Sequence, residues 1–250
     1  MQHFDSDGVK IAYAVEGKGE PILLIHGFAS NGRVNWTATG WVKFLTDCGR
    51  QVITIDNRGH GVSEKLYDSA SYAAPAMAED SRRLLDHLGI ETADIMGYSM
   101  GARLTALLAI AHPSRVRRAV LGGLAENMIL GVPGARAVSE ALLAPSLDDV
   151  SDPQGRAFRA FADQSKSDRR ALAACILASR QTVSADQLGR ISCPVLVVVG
   201  ETDLIAGKME PLVAAIPNAQ GVLLPRRDHM RAVGDAGFKQ AVKDFLKQPL

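Results

Sequence analysis

The stretch TADIMGYSMGARLTALLAIA, residues 92–111, constrains this chain more than any other. A short apolar run of strand type leads up to Ser99. Behind it Met100, Leu104, Leu107, Leu108 and Ala111 recur at offsets of four and three, the period of one helix face. Ser99 therefore sits where a strand turns sharply into a helix. In Gly97-Tyr98-Ser99-Met100-Gly101 the glycines remove side chains that would clash as strand and helix close on each other, and the turn pushes the hydroxyl out at its tip. The helix that begins there aims free backbone N–H groups and the positive end of its dipole at charge developing beside the serine oxygen. Five residues of this kind can occur by chance, but a strand before and a helix after argue for a site of attack on a carbonyl.

The rest of the chain supplies the frame such a turn needs. Residues 9–15 alternate in part and residues 21–25 are continuously apolar, with Gly17-Lys18-Gly19-Glu20 between them, so the pair reads as a hairpin feeding a buried strand. A helix is expected over residues 41–47 and a second buried strand over 52–55. Met77, Leu84, Leu85 and Leu88 then mark a helix face that stops at Gly89. Residues 116–121 form a further strand after the Ser99 element. Strands alternating with helices in this way make a mostly parallel sheet covered on both faces. From residue 122 to 191 the alternation stops: residues 135–144, 156–162 and 168–179 read as helices separated by Pro145, Pro153 and polar breaks. The sheet resumes at 194–199 and 222–224, and Phe238, Val242, Phe245 and Leu246 mark a closing amphipathic helix. The expected organisation is an α/β core over 1–121 and 192–250, interrupted by a helical cap over 122–191.

Length and charge narrow the function. A chain of 250 residues suits one α/β domain with an insertion, and 28 Lys plus Arg against 27 Asp plus Glu leave a formal charge of +1, with no electrostatic case for nucleic acid or a membrane surface. The longest apolar runs fall far short of a bilayer span, and the N-terminal residues lack a basic-then-apolar leader, so a cytoplasmic protein is expected. Cys48, Cys175 and Cys193 are odd in number and without CxxC spacing, which argues for buried free thiols in a reducing cytosol and against a disulfide framework or a thiol-rich metal site. No cofactor is expected. Asn35-Trp36-Thr37 spells a glycosylation sequon that reads as coincidence without a secretory signal.

A serine hydroxyl is a weak nucleophile at neutral pH and needs a base with an orienting partner. Reacting groups gather at the carboxyl ends of parallel strands. Of the six histidines, His3 is terminal, His87 lies on a helix and His112 ends the helix behind Ser99. His26 and His60 follow strands but precede Ser99 in the chain. His229, five residues past Leu224, is the candidate base. Asp203, four residues past Val199, is the candidate acid, against the rival reading of a helix cap and against Glu201 and Asp228 as neighbours. The oxyanion of a tetrahedral intermediate needs fixed donors, for which the backbone N–H groups of Met100 and Phe28 are the choice, with His26, Gly27, Gly97 and Gly101 as support.

Five segments in order, LLIHGF at 23–28, DNRGHGVS at 56–63, GYSMG at 97–101, GETD at 200–203 and DHM at 228–230, make the whole chain resemble the α/β-hydrolase fold superfamily. The resemblance implies a mostly parallel sheet of about eight strands flanked by helices, with a helical cap. It implies a Ser99, His229, Asp203 triad acting through an acyl-enzyme on a small, fairly apolar ester, lactone or thioester, and a shielded structural role for Arg58 and His60. Carbon–carbon hydrolases and cofactor-free perhydrolases of the haloperoxidase type belong to the same circle. So does a receptor-like small-molecule binder with slow turnover. Epoxide hydrolases and haloalkane dehalogenases fit less well, because their nucleophile is Asp where this chain has Ser99, and residues 122–191 contain none of the Tyr that the epoxide enzymes use. Carbon–carbon hydrolases commonly carry Trp after the catalytic His, where this chain has Met230. Phe158 and Phe161 are the aromatics of the cap and the candidate pocket residues.

Overall fold

The computed structural model describes residues 1–249. Eight strands form one sheet: β1 (Gln2–Ser6), β2 (Val9–Glu16), β3 (Glu20–Ile25), β4 (Arg50–Asp56), β5 (Ala93–Tyr98), β6 (Val116–Gly122), β7 (Val195–Gly200) and β8 (Ala219–Leu224). Their spatial order is β1-β2-β4-β3-β5-β6-β7-β8. The β1/β2 and β2/β4 pairs are antiparallel and every pair from β4/β3 to β7/β8 is parallel.

The expected hairpin of residues 9–15 with 21–25 does not form. β2 pairs with β1 and β4, and β3 lies on the far side of β4. The reason is the path of the Gly17-Lys18-Gly19 turn, which crosses the start of β4 in close contact: a Cβ on Gly19 would stand 2.2 Å from the Gly49 carbonyl oxygen, and one on Gly17 2.5 Å from that of Arg50. The true hairpin is β1 to β2, closed by Asp7 and Gly8 at φ 58° and 81°. Two successive left-handed residues make the tight turn whose twist matches that of paired strands.

Strands β3 and β7 are apolar on both faces because both faces are covered. Ile22 and Leu24 pack toward α1 (Trp41–Asp47), while Leu23 and Ile25 pack toward α2 (Ala74–His87) and α3 (Met100–Ala111). Between β6 and β7 run five helices and no strand: α4 (Glu126–Leu130), α5 (Ala135–Leu143), α6 (Pro153–Gln164), α7 (Arg169–Ala178) and α8 (Ala185–Leu188). Asp152 and Asp168 start α6 and α7 by accepting from the Gly155 N–H in the first case and from the Arg170 and Ala171 N–H groups in the second. After β7 come α9 (Met209–Ala215), and after β8 the short α10 (His229–Ala232) and α11 (Ala236–Leu246), which packs beside α1. Among the described residues no helix is long and apolar enough to cross a membrane.

Candidate active site

Ser99 occupies the turn between β5 and α3 at φ 54°, ψ −113°, a backbone conformation that costs a residue with a side chain on the order of 1–3 kcal/mol. Packing holds it there. The Ser99 N–H donates to the Gly122 carbonyl at 2.7 Å. A Cβ on Gly97 would lie 2.0 Å from the Gly101 carbonyl oxygen, and one on Gly101 would lie 1.9 Å from that of Ile25. The two glycines are thus the only residue type that lets α3 descend onto β5 and β3.

His229 and Asp203 arrive from loops that β7 and β8 throw off at the same sheet edge. The loops are stitched together: Glu201 N–H donates to the Leu224 carbonyl at 2.9 Å and Thr202 N–H to that of Arg227 at 3.0 Å. His229 Nδ1 stands 2.8 Å from Asp203 Oδ2, and Nε2 stands 3.1 Å from Ser99 Oγ. A carboxylate only accepts, so Nδ1 carries the proton and Nε2 is left as the acceptor for the serine hydroxyl. Asp203 Oδ1 accepts from the Ile205 and Ala206 N–H groups at 3.0 and 2.9 Å, which fixes the carboxylate plane. The rivals are engaged elsewhere: Glu201 accepts from the Arg226 N–H at 2.7 Å, and Asp228 caps α10 through the Met230 and Arg231 N–H groups at 3.1 and 2.8 Å.

The loop after β3 packs against the same serine, a Cβ on Gly27 falling 3.4 Å from Ser99 Cβ. His26 Nε2 accepts from the Asn57 N–H at 2.9 Å, so its Nδ1–H donates to the Gly27 carbonyl at 2.7 Å. In a trans peptide that leaves the Phe28 N–H on the opposite side, and no backbone acceptor among the described residues engages it. The Met100 N–H, at the first position of α3, has no intrahelical partner.

Two residues here have roles at the site that their sequence patterns do not reveal. Asn35, on a single π-helical turn over Arg33–Thr37, accepts from the Gly27 N–H through Oδ1 at 3.1 Å and is buried, which also withdraws the sequon from the surface. Tyr98 donates its hydroxyl to the His229 carbonyl at 2.6 Å, and its phenol is held well above its ordinary range by burial and by Asp203 and Asp228. Tyr98 acts across 131 residues, which local patterns do not reach, and the shorter reach from Asn35 to Gly27 depends on the loop path between them. Arg58 clasps Asp80 with Nε and Nη2 at 2.8 and 2.7 Å beneath the loop that carries His60.

A cavity of about 490 Å³ opens over Ser99. Phe28, Tyr98 and His229 form its floor, and Phe158 and Phe161 of α6 its roof. The Phe28 ring meets that of Phe158 edge to face with centroids 5.5 Å apart, so the inserted helices touch the β3 loop directly. No Lys or Arg lines this cavity among the described residues. Nor do those residues hold a cluster of three or more His, Cys, Asp or Glu of the kind that binds a metal.

His26 and His60 lie side by side with ring centroids 5.2 Å apart. Burial holds His26 down to about 4 against the pull of its bond to Gly27, and holds His60 down to about 3, helped by its neighbour His26. Both are neutral in the fold but take up protons near pH 6.5 when unfolded, so the unfolded chain binds more protons through the window below 6.5 and stability falls as pH falls. Urea midpoints should therefore drop between pH 7 and pH 5, with a loss of about 2 to 4 kcal/mol in all. A flat profile across that range would mean that the two rings titrate normally.

A profile of the alpha/beta hydrolase fold matches residues 20–133. Over 108 residues the chain is 42% identical to a 2-hydroxymuconate semialdehyde hydrolase from Pseudomonas putida, a match spanning 43% of this chain and only 37% of that enzyme. It is 28% identical to a 2-hydroxy-6-oxononadienedioate/2-hydroxy-6-oxononatrienedioate hydrolase from Cupriavidus pinatubonensis across 91% of this chain and 86% of that one. Among solved structures, a hydrolase from Pseudomonas aeruginosa PA01 superposes with a TM-score of 0.82 at 27% identity, covering 99% of this chain and 98% of the other.

Proposed function

The chain belongs to the α/β-hydrolase fold superfamily, and from that premise we propose that it is a serine hydrolase of small, neutral acyl compounds: esters, lactones or thioesters. The observation that carries this reading is the continuous line from Ser99 Oγ through His229 to Asp203, at 3.1 and 2.8 Å, opening into a cavity that no Lys or Arg lines among the described residues. In the proposed cycle Ser99 Oγ attacks the substrate carbonyl while its proton passes to His229 Nε2. Asp203 stabilises the imidazolium, and the N–H groups of Phe28 and Met100 receive the oxyanion. His229 then protonates the leaving alcohol or thiol, and a water activated by the same ring releases the acid from the acyl-enzyme. A neutral acyl chain suits the cavity because a carboxylate placed there would lose its water and meet no counter-charge. Residues 122–191 act as the lid of this site, with Phe158 and Phe161 shaping the acyl pocket.

The named relatives favour a second reading, hydrolysis of a carbon–carbon bond in a carboxylate-bearing dienoate. Met230 directly after His229, and the absence of Arg and Lys from the cavity wall among the described residues, weigh against it. Initial rates across p-nitrophenyl esters of increasing length, lactones, thioesters and one such dienoate separate the two. The ester reading expects turnover of short neutral esters, and expects Phe158→Ala to raise the long-chain to short-chain rate ratio about tenfold, the scale of a few methylenes in an apolar pocket. Dienoate turnover with inert esters would hand the site to the second reading. An unchanged ratio in a less stable Phe158→Ala protein would make Phe158 a packing residue.

A further inference from the structure

The wall of the cavity over Ser99 is mostly apolar, so the few polar side chains in it decide how a substrate is oriented. Most are already bonded within the protein. Ser99 and His229 engage each other, Asn35 Oδ1 holds the Gly27 N–H, and the Thr39 hydroxyl donates to the Asn35 carbonyl at 2.6 Å. The Tyr98 hydroxyl donates to the His229 carbonyl. Gln154, half-buried on the roof, carries its Oε1 toward the start of α5, where a Cβ on Gly134 would stand 2.6 Å from it. Ser30 differs from all of these. It lines the cavity at 5% exposure, and its hydroxyl has no hydrogen-bond partner among the described residues. The Asn35 Nδ2 also lacks a partner but is sealed, whereas the Ser30 Oγ keeps a surface open to the cavity.

The backbone fixes where this hydroxyl stands. Ser30 N–H donates to the Gly27 carbonyl at 3.2 Å, which closes a tight turn over residues 27–30. Ala29 inside it is fully buried at φ 60°, a left-handed conformation that residues with a Cβ seldom adopt. Strain of this kind gathers at functional sites. The same turn carries the Phe28 N–H, and its Gly27 packs against Ser99. The ends of a turn stand less than about 7 Å apart, so Ser30 lies within a few bonds of the carbonyl that Ser99 would attack. The Phe28 ring meets Phe158 of the roof, which sets the turn beside the acyl part of a substrate, while the leaving group stays with His229, its proton donor.

We propose, building on the hydrolase reading of Ser99, that Ser30 is a specificity-determining residue and that the acyl chain it meets carries a second neutral oxygen, a hydroxyl or a keto group, close to the scissile carbonyl. A serine hydroxyl donates to a keto oxygen or accepts from a substrate hydroxyl, and offers no charge to a carboxylate. A plain alkyl chain would displace water from Ser30 and leave the buried hydroxyl unmet. That is the condition under which a site rejects an analogue.

The test compares p-nitrophenyl hexanoate with its 2-hydroxy, 3-hydroxy and 3-oxo counterparts on the parent and on Ser30→Ala, each rate divided by the alkaline hydrolysis rate of the same ester. At least one oxygenated ester should exceed hexanoate in kcat/KM by about tenfold, the scale of one neutral hydrogen bond, and that ratio should fall to about one in Ser30→Ala. The hydroxy and oxo arms show which oxygen is read. Calorimetric binding of hexanamide and the matching oxygenated amides gives a second readout that needs no turnover. Ester turnover with a flat ratio in the parent, or a ratio that survives in Ser30→Ala, would overturn the role of Ser30 and leave the hydrolase reading standing. Inert esters beside an amide preference that Ser30→Ala abolishes would remove the hydrolase reading and keep Ser30 as a ligand contact. Inert esters with equal or undetectable amide binding would overturn both. The parent ratio alone stays decisive where the variant does not fold.

Discussion

Ser99→Ala should lose all covalent labelling by a fluorophosphonate and fall in turnover by about six orders of magnitude, the scale seen when the nucleophile of a serine protease is removed. The expected loss is large because, among the described residues, the hydroxyl hydrogen-bonded to His229 Nε2 is that of Ser99, at the tip of the strained turn. Residual activity would reflect the oxyanion donors and binding alone. A second variant reads the strain itself. At φ 54°, ψ −113° glycine is at ease where serine is not, so Ser99→Gly should melt higher than the parent, by an amount equivalent to about 1 kcal/mol after the extra backbone entropy of glycine is counted. A protein that becomes both more stable and inactive is the mark of strain kept for chemistry. Labelling of Ser99→Ala to the parent's extent would place the nucleophile elsewhere, and a lower melting temperature for Ser99→Gly would show that the turn is not strained.

How far the sequence could be read depends on the range over which each feature acts. The β5 turn and α3 are local: strand, glycine, serine, glycine and helix face lie within twenty consecutive residues, with Ile25 and Gly122 adding contacts from neighbouring strands. Asp203 and His229 were accessible at one remove, because parallel strands deliver their following loops to one edge. The path of β2 was not accessible. Its alternation predicts a half-buried strand but carries no mark of its partner, and the tight passage of Gly17 and Gly19 over the start of β4, which decides the pairing, is a contact across thirty residues. Strand β1 escaped for another reason. Gln2–Ser6 is a polar edge strand with two buried residues, so only the Asp7-Gly8 turn announced it. The role of Asn35 was equally silent, since a polar residue on a short helical turn becomes informative only when its partner is seen.

Asp203→Asn should lower turnover by about four orders of magnitude while leaving the melting temperature nearly unchanged, and the structure explains both halves of that expectation. Asparagine can keep its side-chain oxygen where Asp203 Oδ1 now accepts from the Ile205 and Ala206 N–H groups, so the turn after β7 survives. Its amide nitrogen then takes the place of Oδ2, 2.8 Å from His229 Nδ1, and presents hydrogens where the ring must donate. The ring answers by moving its proton to Nε2, which turns the acceptor facing Ser99 Oγ into a donor. The base is lost without any displaced atom. No carboxylate remains to stabilise an imidazolium, so the charge that must form on the way to the tetrahedral intermediate is opposed as well. A carboxylate that served only to hold the turn would be worth about 1 kcal/mol of stability and nothing in turnover. Glu201→Gln is the matched control, because Glu201 is spent on the Arg226 N–H, and Asp228→Asn can still cap α10. Steady-state kinetics on all three variants, each checked for folding by thermal melting, decides the matter: a larger fall for Glu201→Gln than for Asp203→Asn would transfer the acid to Glu201 and reduce Asp203 to a turn residue.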